Sequence, residues 1–172
     1  MHNNRNKTRF IVNSSLIAAA YVILTYLSAV LNLAYGSIQF RISEALTVLS
    51  LITPAAIPGL TIGCLIGNLF SPYGIIDIIF GTTATLLASL ISYILSRKFA
   101  KGVNVIAASV PAIVNALIIG AEITFFVPQS SYLAVFLLSA FEVGIGEFLV
   151  CLLLGIPLYK LIKRYNFDKY LV

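Results

Sequence analysis

The sequence is poor in charge. Of 172 residues, 11 are Lys or Arg and six are Asp or Glu, about 10% in all, where soluble domains carry about 25%. Histidine occurs once, as His2. Cysteine occurs twice, as Cys64 and Cys151, and tryptophan is missing. Neither cysteine has a Cys or His at ligand spacing, which removes most zinc, haem and iron–sulfur readings, and with His2 alone in the tail a histidine-based nucleophilic triad is excluded. Both thiols read as small buried hydrophobes. No G-x-x-x-x-G-K-[S/T] phosphate loop is present, so this chain binds no ATP of that kind. No catalytic residue, metal site or cofactor is predicted.

What is abundant is apolar surface. Hydrophobic residues make up 60%, including 11 Phe and nine Tyr. A chain of this size cannot hide so much inside a soluble globule, so lipid is the expected solvent. A spanning helix needs ~20 apolar residues. Six would use most of the chain and leave no room for a soluble ATPase or catalytic domain.

The segments divide as follows. Residues 1–10 form a polar, basic tail. Residues 11–162 form a six-helix membrane domain, and residues 163–172 a second tail. The first apolar run, Ile11 to Ala34, is too long for a signal-peptide core. Tyr35 to Phe40 breaks it. Arg41 to Ile52 and Ala55 to Phe70 are short segments separated by Thr53-Pro54. Ser71-Pro72-Tyr73-Gly74 is a turn. Ile75 to Ser96, Val103 to Phe126 and Tyr132 to Ile162 are the remaining spans, joined by a basic loop from Arg97 to Gly102 and a loop centred on Pro128. The expected fold is an all-α integral membrane bundle of six helices with short second and third segments.

Lys and Arg placement sets the orientation. Arg5, Lys7 and Arg9, then Arg97, Lys98 and Lys101, then Lys160, Lys163, Arg164 and Lys169 all fall on one side of a six-crossing chain. Only Arg41 falls on the other. This predicts a plasma-membrane protein with both termini cytoplasmic. It also accounts for the net charge of +5 without nucleic acid.

Small residues recur every four positions at Ala55, Gly59, Gly63, Gly67 and Ser71, and again at Gly81, Ala84, Ala88 and Ser92. Such stripes let helices pack closely in lipid. Ser14, Ser15, Ala18, Ala19 and Ala20 form another small patch, suited to internal packing or to docking a second membrane protein.

Five of the six acids lie in or beside apolar spans: Glu44, Asp77, Glu122, Glu142 and Glu147. Each costs ~2.5–3.5 kcal/mol at a helix centre on insertion scales, and such residues generally face a cavity or a partner. The predicted topology gathers Arg41, Glu44, Asn68, Asp77, Glu122 and Glu142 in the external half, with Asn115 two turns below Glu122. The acids suit a donor-rich ligand. Arg41 would orient an acceptor or pair with Glu44. Phe40, Phe70, Tyr73, Phe80 and Phe125 are candidates for stacking on a planar ring. Glu147 lies deeper and would reach another helix or a partner subunit. Structural ion pairs and snorkelling at helix ends are the competing explanation, strongest for Arg41 and Glu44.

Several runs together resemble one family: Ser15-Leu-Ile-Ala-Ala-Ala-Tyr-Val-Ile-Leu-Thr25, Ile38-Gln-Phe-Arg-Ile-Ser-Glu-Ala-Leu46, Thr53-Pro-Ala-Ala-Ile-Pro-Gly-Leu60, Gly63-Cys-Leu-Ile-Gly-Asn68 and Asp77-Ile-Ile-Phe-Gly-Thr82. They resemble the queuosine precursor transporter (QueT) family, substrate-binding S components of energy-coupling factor (ECF) transporters. The resemblance implies a six-helix S component that binds its ligand from outside. It implies a transmembrane T subunit and two cytoplasmic ATPases as partners, which use ATP. The family's Ala-x-x-x-Ala docking motif falls on Ser15 and Ala19, conserving size but not identity at the first position. The implied ligand is a 7-deazaguanine such as prequeuosine or queuine. The candidate binding set is Gln39, Arg41, Glu44, Asn68, Asp77, Asn115, Glu122 and Glu142. Two other functions fit the same acids: an S component for another vitamin or nucleobase-like heterocycle, and a stand-alone proton-coupled carrier with Glu147 or Asp77 as relay. An intramembrane enzyme fits poorly, lacking histidine and metal ligands.

Overall fold

The computed structural model describes residues 2–34, 38–98, 105–126 and 131–171. Within the segments expected from sequence, the break over 35–37, the basic loop from 99 with Lys101, the span start at Val103 and the loop around Pro128 lie outside those residues. Among the described residues every regular element is helical: α1 (His2–Val30), a 3-10 helix (Ile42–Leu51), α2 (Ala56–Gly67) and α3 (Ile75–Lys98), then α4 (Val105–Phe126), α5 (Tyr132–Val150), α6 (Ile156–Arg164) and α7 (Asp168–Leu171). A π turn over Cys151–Gly155 joins α5 to α6, so Tyr132–Arg164 is one continuous helical stretch.

Four stretches are long and apolar enough to cross a membrane: Asn4–Val30, Ile75–Lys98, Val105–Phe126 and Tyr132–Arg164. The two short segments differ from these. The 3-10 helix has ten residues, about 20 Å at ~2.0 Å per residue. Its position explains how it can be short. It touches α1, α2, α3, α4, α5 and α6, and seven of its ten residues are buried. Surrounded by protein on all sides, it need not match the thickness of a bilayer. Its start is pinned to α1, where the Ile42 amide donates to Ser28 Oγ at 2.9 Å and Thr25 Oγ1 donates to Ser43 Oγ at 2.9 Å. Pro54 then prevents direct continuation into α2.

The molecule is arranged for lipid, with apolar side chains outside and small or polar ones within. Leu16, Ile23, Val30, Ile75, Leu133, Phe141 and Leu153 are all more than 60% exposed. Between helices the residues are small. Gly59, Gly63 and Gly67 of α2 lie against α1: a Cβ on Gly59 would stand 2.8 Å from the Ser14 carbonyl oxygen, and one on Gly63 would stand 2.7 Å from Tyr21 Cβ. The α3 stripe is buried at Ala84, Ala88 and Ser92, and Ser92 Oγ donates to the Ala107 carbonyl at 2.9 Å. Gly120 of α4 lies under Ala140 of α5. These contacts set an expectation for Gly63→Ala. It overpacks α1 on α2 at a cost of about 1–3 kcal/mol, and the thermal unfolding midpoint drops by roughly 2–12 °C. An unchanged midpoint in detergent or nanodiscs would show that this packing is loose.

At the far end, α7 folds back onto the bundle. Asn13 Nδ2 donates to the Tyr170 carbonyl at 3.0 Å, Thr53 Oγ1 donates to the Leu171 carbonyl at 2.5 Å, and Lys163 pairs with Asp168 at 2.9 Å.

Candidate ligand-binding site

A cavity of about 300 Å³ opens where the start of α3, the end of α4 and the first half of α5 converge. Its polar lining is Gln39, Asp77, Ser139, Glu122 and Glu142; Tyr73 and Phe126 provide aromatic walls, and Ile76, Ile119 and Ile123 an apolar floor. The volume lies at the small end of the range for small-molecule sites, ~300–1,000 Å³.

Asp77 is held rigidly. Arg41 Nη2 meets its Oδ2 at 3.2 Å, Arg41 Nη1 donates to Asn68 Oδ1 at 3.0 Å, and Arg41 Nε donates to the Ala34 carbonyl at 3.2 Å. Asn68 Nδ2 donates to the Asp77 carbonyl at 3.0 Å. Glycine at 81 makes room for this network, because a Cβ there would collide with the Asn68 amide. All three side chains are buried. A buried carboxylate needs such a counter-ion, and Arg41 neutralises this one.

Glu122 and Glu142 have no such partner among the described ion pairs. Glu122 is 5% exposed and its Oε2 is buried without a hydrogen-bond partner. Glu142 is half-buried on the opposite wall. The cavity therefore offers two uncompensated carboxyls, an amide and a hydroxyl beside aromatic and apolar surface. Such a lining is built to accept hydrogen bonds from a ligand rich in N–H groups, and it favours positive charge.

The structure divides the sequence-derived set into three. Gln39, Asp77, Glu122 and Glu142 line the cavity. Arg41 and Asn68 stand behind it and meet it through Asp77. Glu44 and Asn115 belong to a deeper group: Tyr21 donates its hydroxyl to Glu44, and Asn115 Nδ2 donates to Glu147 Oε1 at 2.6 Å. Glu147 thus reaches another helix of the same chain. The expected pairing of Arg41 with its i+3 neighbour gives way to Asp77. Arg41 precedes the helix in extended conformation, φ −82° and ψ 105°, so the i, i+3 geometry of a helical face does not apply to it.

Among the aromatic candidates, Tyr73 lines the cavity. Phe70 packs edge-on against Tyr26 at 5.1 Å, Phe80 packs with Ala84, Ile119 and Val143, and Phe125 is 75% exposed. Sequence reasoning missed Phe126 and Ser139. Helical spacing carries both signals: Phe126 is four residues after Glu122, and Ser139 three before Glu142, so each shares a face with an acid. Tyr21 was missed too, and nothing in its apolar surroundings marks it.

The small patch on α1 also divides. Ser14 and Ala18 are buried against α2, whereas Ser15 and Ala19 are exposed. These two line a shallow groove with Phe10, Val22, Pro58 and Ile62.

Four helices long and apolar enough to cross a membrane, three of them meeting at an acid-containing cavity, define a multi-pass membrane protein. The chain matches the QueT transporter family over residues 11–164 and belongs to that family. It is 37% identical over 95 residues to the queuosine precursor transporter QueT of Lactococcus lactis subsp. cremoris, a stretch covering 55% of this chain and 56% of that protein. The chain thus spans about half the length of the curated relative it matches. No solved structure matches it.

Proposed function

We propose that this chain is the substrate-capturing S component of an ECF-type importer for a queuosine precursor, a 7-deazaguanine such as prequeuosine or queuine. The single observation that carries this reading is the cavity, with Glu122 and Glu142 uncompensated inside it. A guanine-like edge presents adjacent N–H donors, which a carboxylate accepts in paired fashion, and charge-assisted bonds of this kind are roughly twice as strong as neutral ones. An aminomethyl group on the ring carries a positive charge for the second carboxylate. Tyr73 and Phe126 enclose the ring, and Arg41 and Asn68 keep Asp77 in place as a further acceptor. The name of the Lactococcus relative supports the substrate class.

In this reading the bundle has the six-segment S-component arrangement over residues 11–162, with both tails cytoplasmic and the cavity facing outward. The chain performs no chemistry and binds no cofactor. A transmembrane T subunit and two ATPases supply the driving force from ATP. The exposed pair Ser15 and Ala19, beside an apolar groove, is the surface offered to the T subunit. Ser15→Leu or Ala19→Leu is expected to abolish co-purification with the T subunit and leave ligand affinity within twofold of the parent. Full assembly in both variants would move the docking face elsewhere.

The function is tested by uptake of labelled 7-deazaguanines in vesicles. Accumulation that requires ATP and the partner subunits is expected. Accumulation by this chain alone, driven by a pH gradient, would instead identify a stand-alone carrier.

A further inference from the structure

Below the cavity lies a second acidic group that ligand capture does not use. Glu142 and Glu147 are five residues apart on α5, about 7.5 Å along the axis, and Asn115 lies about 10 Å below Glu122 on α4. Glu44 is 2% exposed and Glu147 is 6% exposed. Each has one oxygen satisfied, by the Tyr21 hydroxyl and by the Asn115 amide respectively. Each has its other oxygen, Oε2, buried with no partner. Thr47 ties the two backbones together: its hydroxyl donates to the Glu44 carbonyl at 2.6 Å and lies 3.9 Å from Cys151 Sγ, and the Cys151 amide in turn donates to the Glu147 carbonyl. The two carboxyls lie within electrostatic reach of each other.

Two buried carboxylates that feel each other's charge and have no cation of their own are costly at this depth. Among the described residues, the groups around them do not supply one. Tyr21 from α1, Cys64 from α2 and Cys151 after α5 are neutral, and Asn115 from α4 is an amide. Asp77 from α3 is an acid, as are Glu122 and Glu142 above the pair. Arg41 is the charge nearby, and its guanidinium is engaged with Asp77. With only a phenol and an amide as direct donors, both carboxylates would be uncompensated if ionised.

We propose that Glu44 and Glu147 form an occluded proton site, in which at least one of the two carboxyls is protonated in the interior of the bundle. The Tyr21 hydroxyl donates to Glu44 and is a stronger donor than the Asn115 amide on Glu147, which favours Glu44 as the ionised member and puts the proton on Glu147. The proton removes one of the two uncompensated buried charges without needing any ligand in the cavity, so the proposal goes beyond the transport reading and does not depend on the identity of the substrate.

Infrared difference spectroscopy on the full chain in lipid nanodiscs tests it through the carbonyl stretch of protonated carboxyls. The wild-type protein is expected to show this band at neutral pH in sodium-free and sodium-containing buffer alike. Glu147→Gln, which has the shape of the neutral acid, is expected to fold with an unchanged melting point and to lose one carboxyl from the band. Glu122→Gln, a cavity variant, is expected to leave that component in place. A wild-type protein with no such band overturns the proposal whatever the variants do. So does a band that Glu147→Gln and Glu44→Gln both leave intact. A band that sodium abolishes would replace the proton with a metal cation and equally overturn it.

Discussion

Arg41→Met is expected to lower the unfolding midpoint by roughly 6–20 °C, the equivalent of about 3–5 kcal/mol in a chain of this size. The reason is the charge left behind. Arg41 and Asp77 are both buried, and their contact at 3.2 Å is the ion pair that satisfies the Asp77 carboxylate in the interior. Methionine fills much of the arginine volume but leaves the Asp77 carboxylate and the Asn68 amide oxygen without their donors. The double variant Arg41→Met/Asp77→Asn removes both charges and should regain most of the lost stability, because the main cost lies in the unpaired charge. Melting curves of the two variants decide the matter. If the single variant is as stable as the parent, Asp77 finds another counter-ion and the site is differently wired.

The second large effect is on binding. Glu122→Gln and Glu142→Gln each remove one charge-assisted acceptor and replace it with a neutral amide. Such bonds contribute about 1.5–3 kcal/mol, so affinity should fall roughly 10- to 150-fold for each. Gln is close in shape to Glu and both positions border a cavity, so the bundle itself should survive. Isothermal titration with the aminomethyl 7-deazaguanine measures this directly. Equal affinity in both variants would show that these acids do not face the ligand.

Much of this arrangement was legible before any coordinates. Apolar run lengths located α1, α3, α4 and the Tyr132–Arg164 stretch, because the bilayer sets a length scale that sequence shows directly. The four-residue spacing of Gly59, Gly63 and Gly67 identified a packing face, because close approach in lipid leaves few residue choices. The scarcity of charge singled out the acids. How those acids are sorted was not legible. That Asp77 takes Arg41, leaving Glu44 to Tyr21, depends on the extended backbone at Arg41 and on the 3-10 helix lying in the centre of the bundle. Both are tertiary facts. The run from Ile42 to Leu51 has the composition of any short apolar helix, and nothing in it says that six other helices will surround it.

The central claim is that the cavity between α3, α4 and α5 holds a 7-deazaguanine. It is tested most directly by equilibrium binding to the purified chain in nanodiscs, without partner subunits. Saturable binding of one 7-deazaguanine per chain, weakened at least tenfold by Glu122→Gln, is the predicted result. No binding by any 7-deazaguanine of the panel, with a different heterocycle recovered from the purified protein, would contradict it.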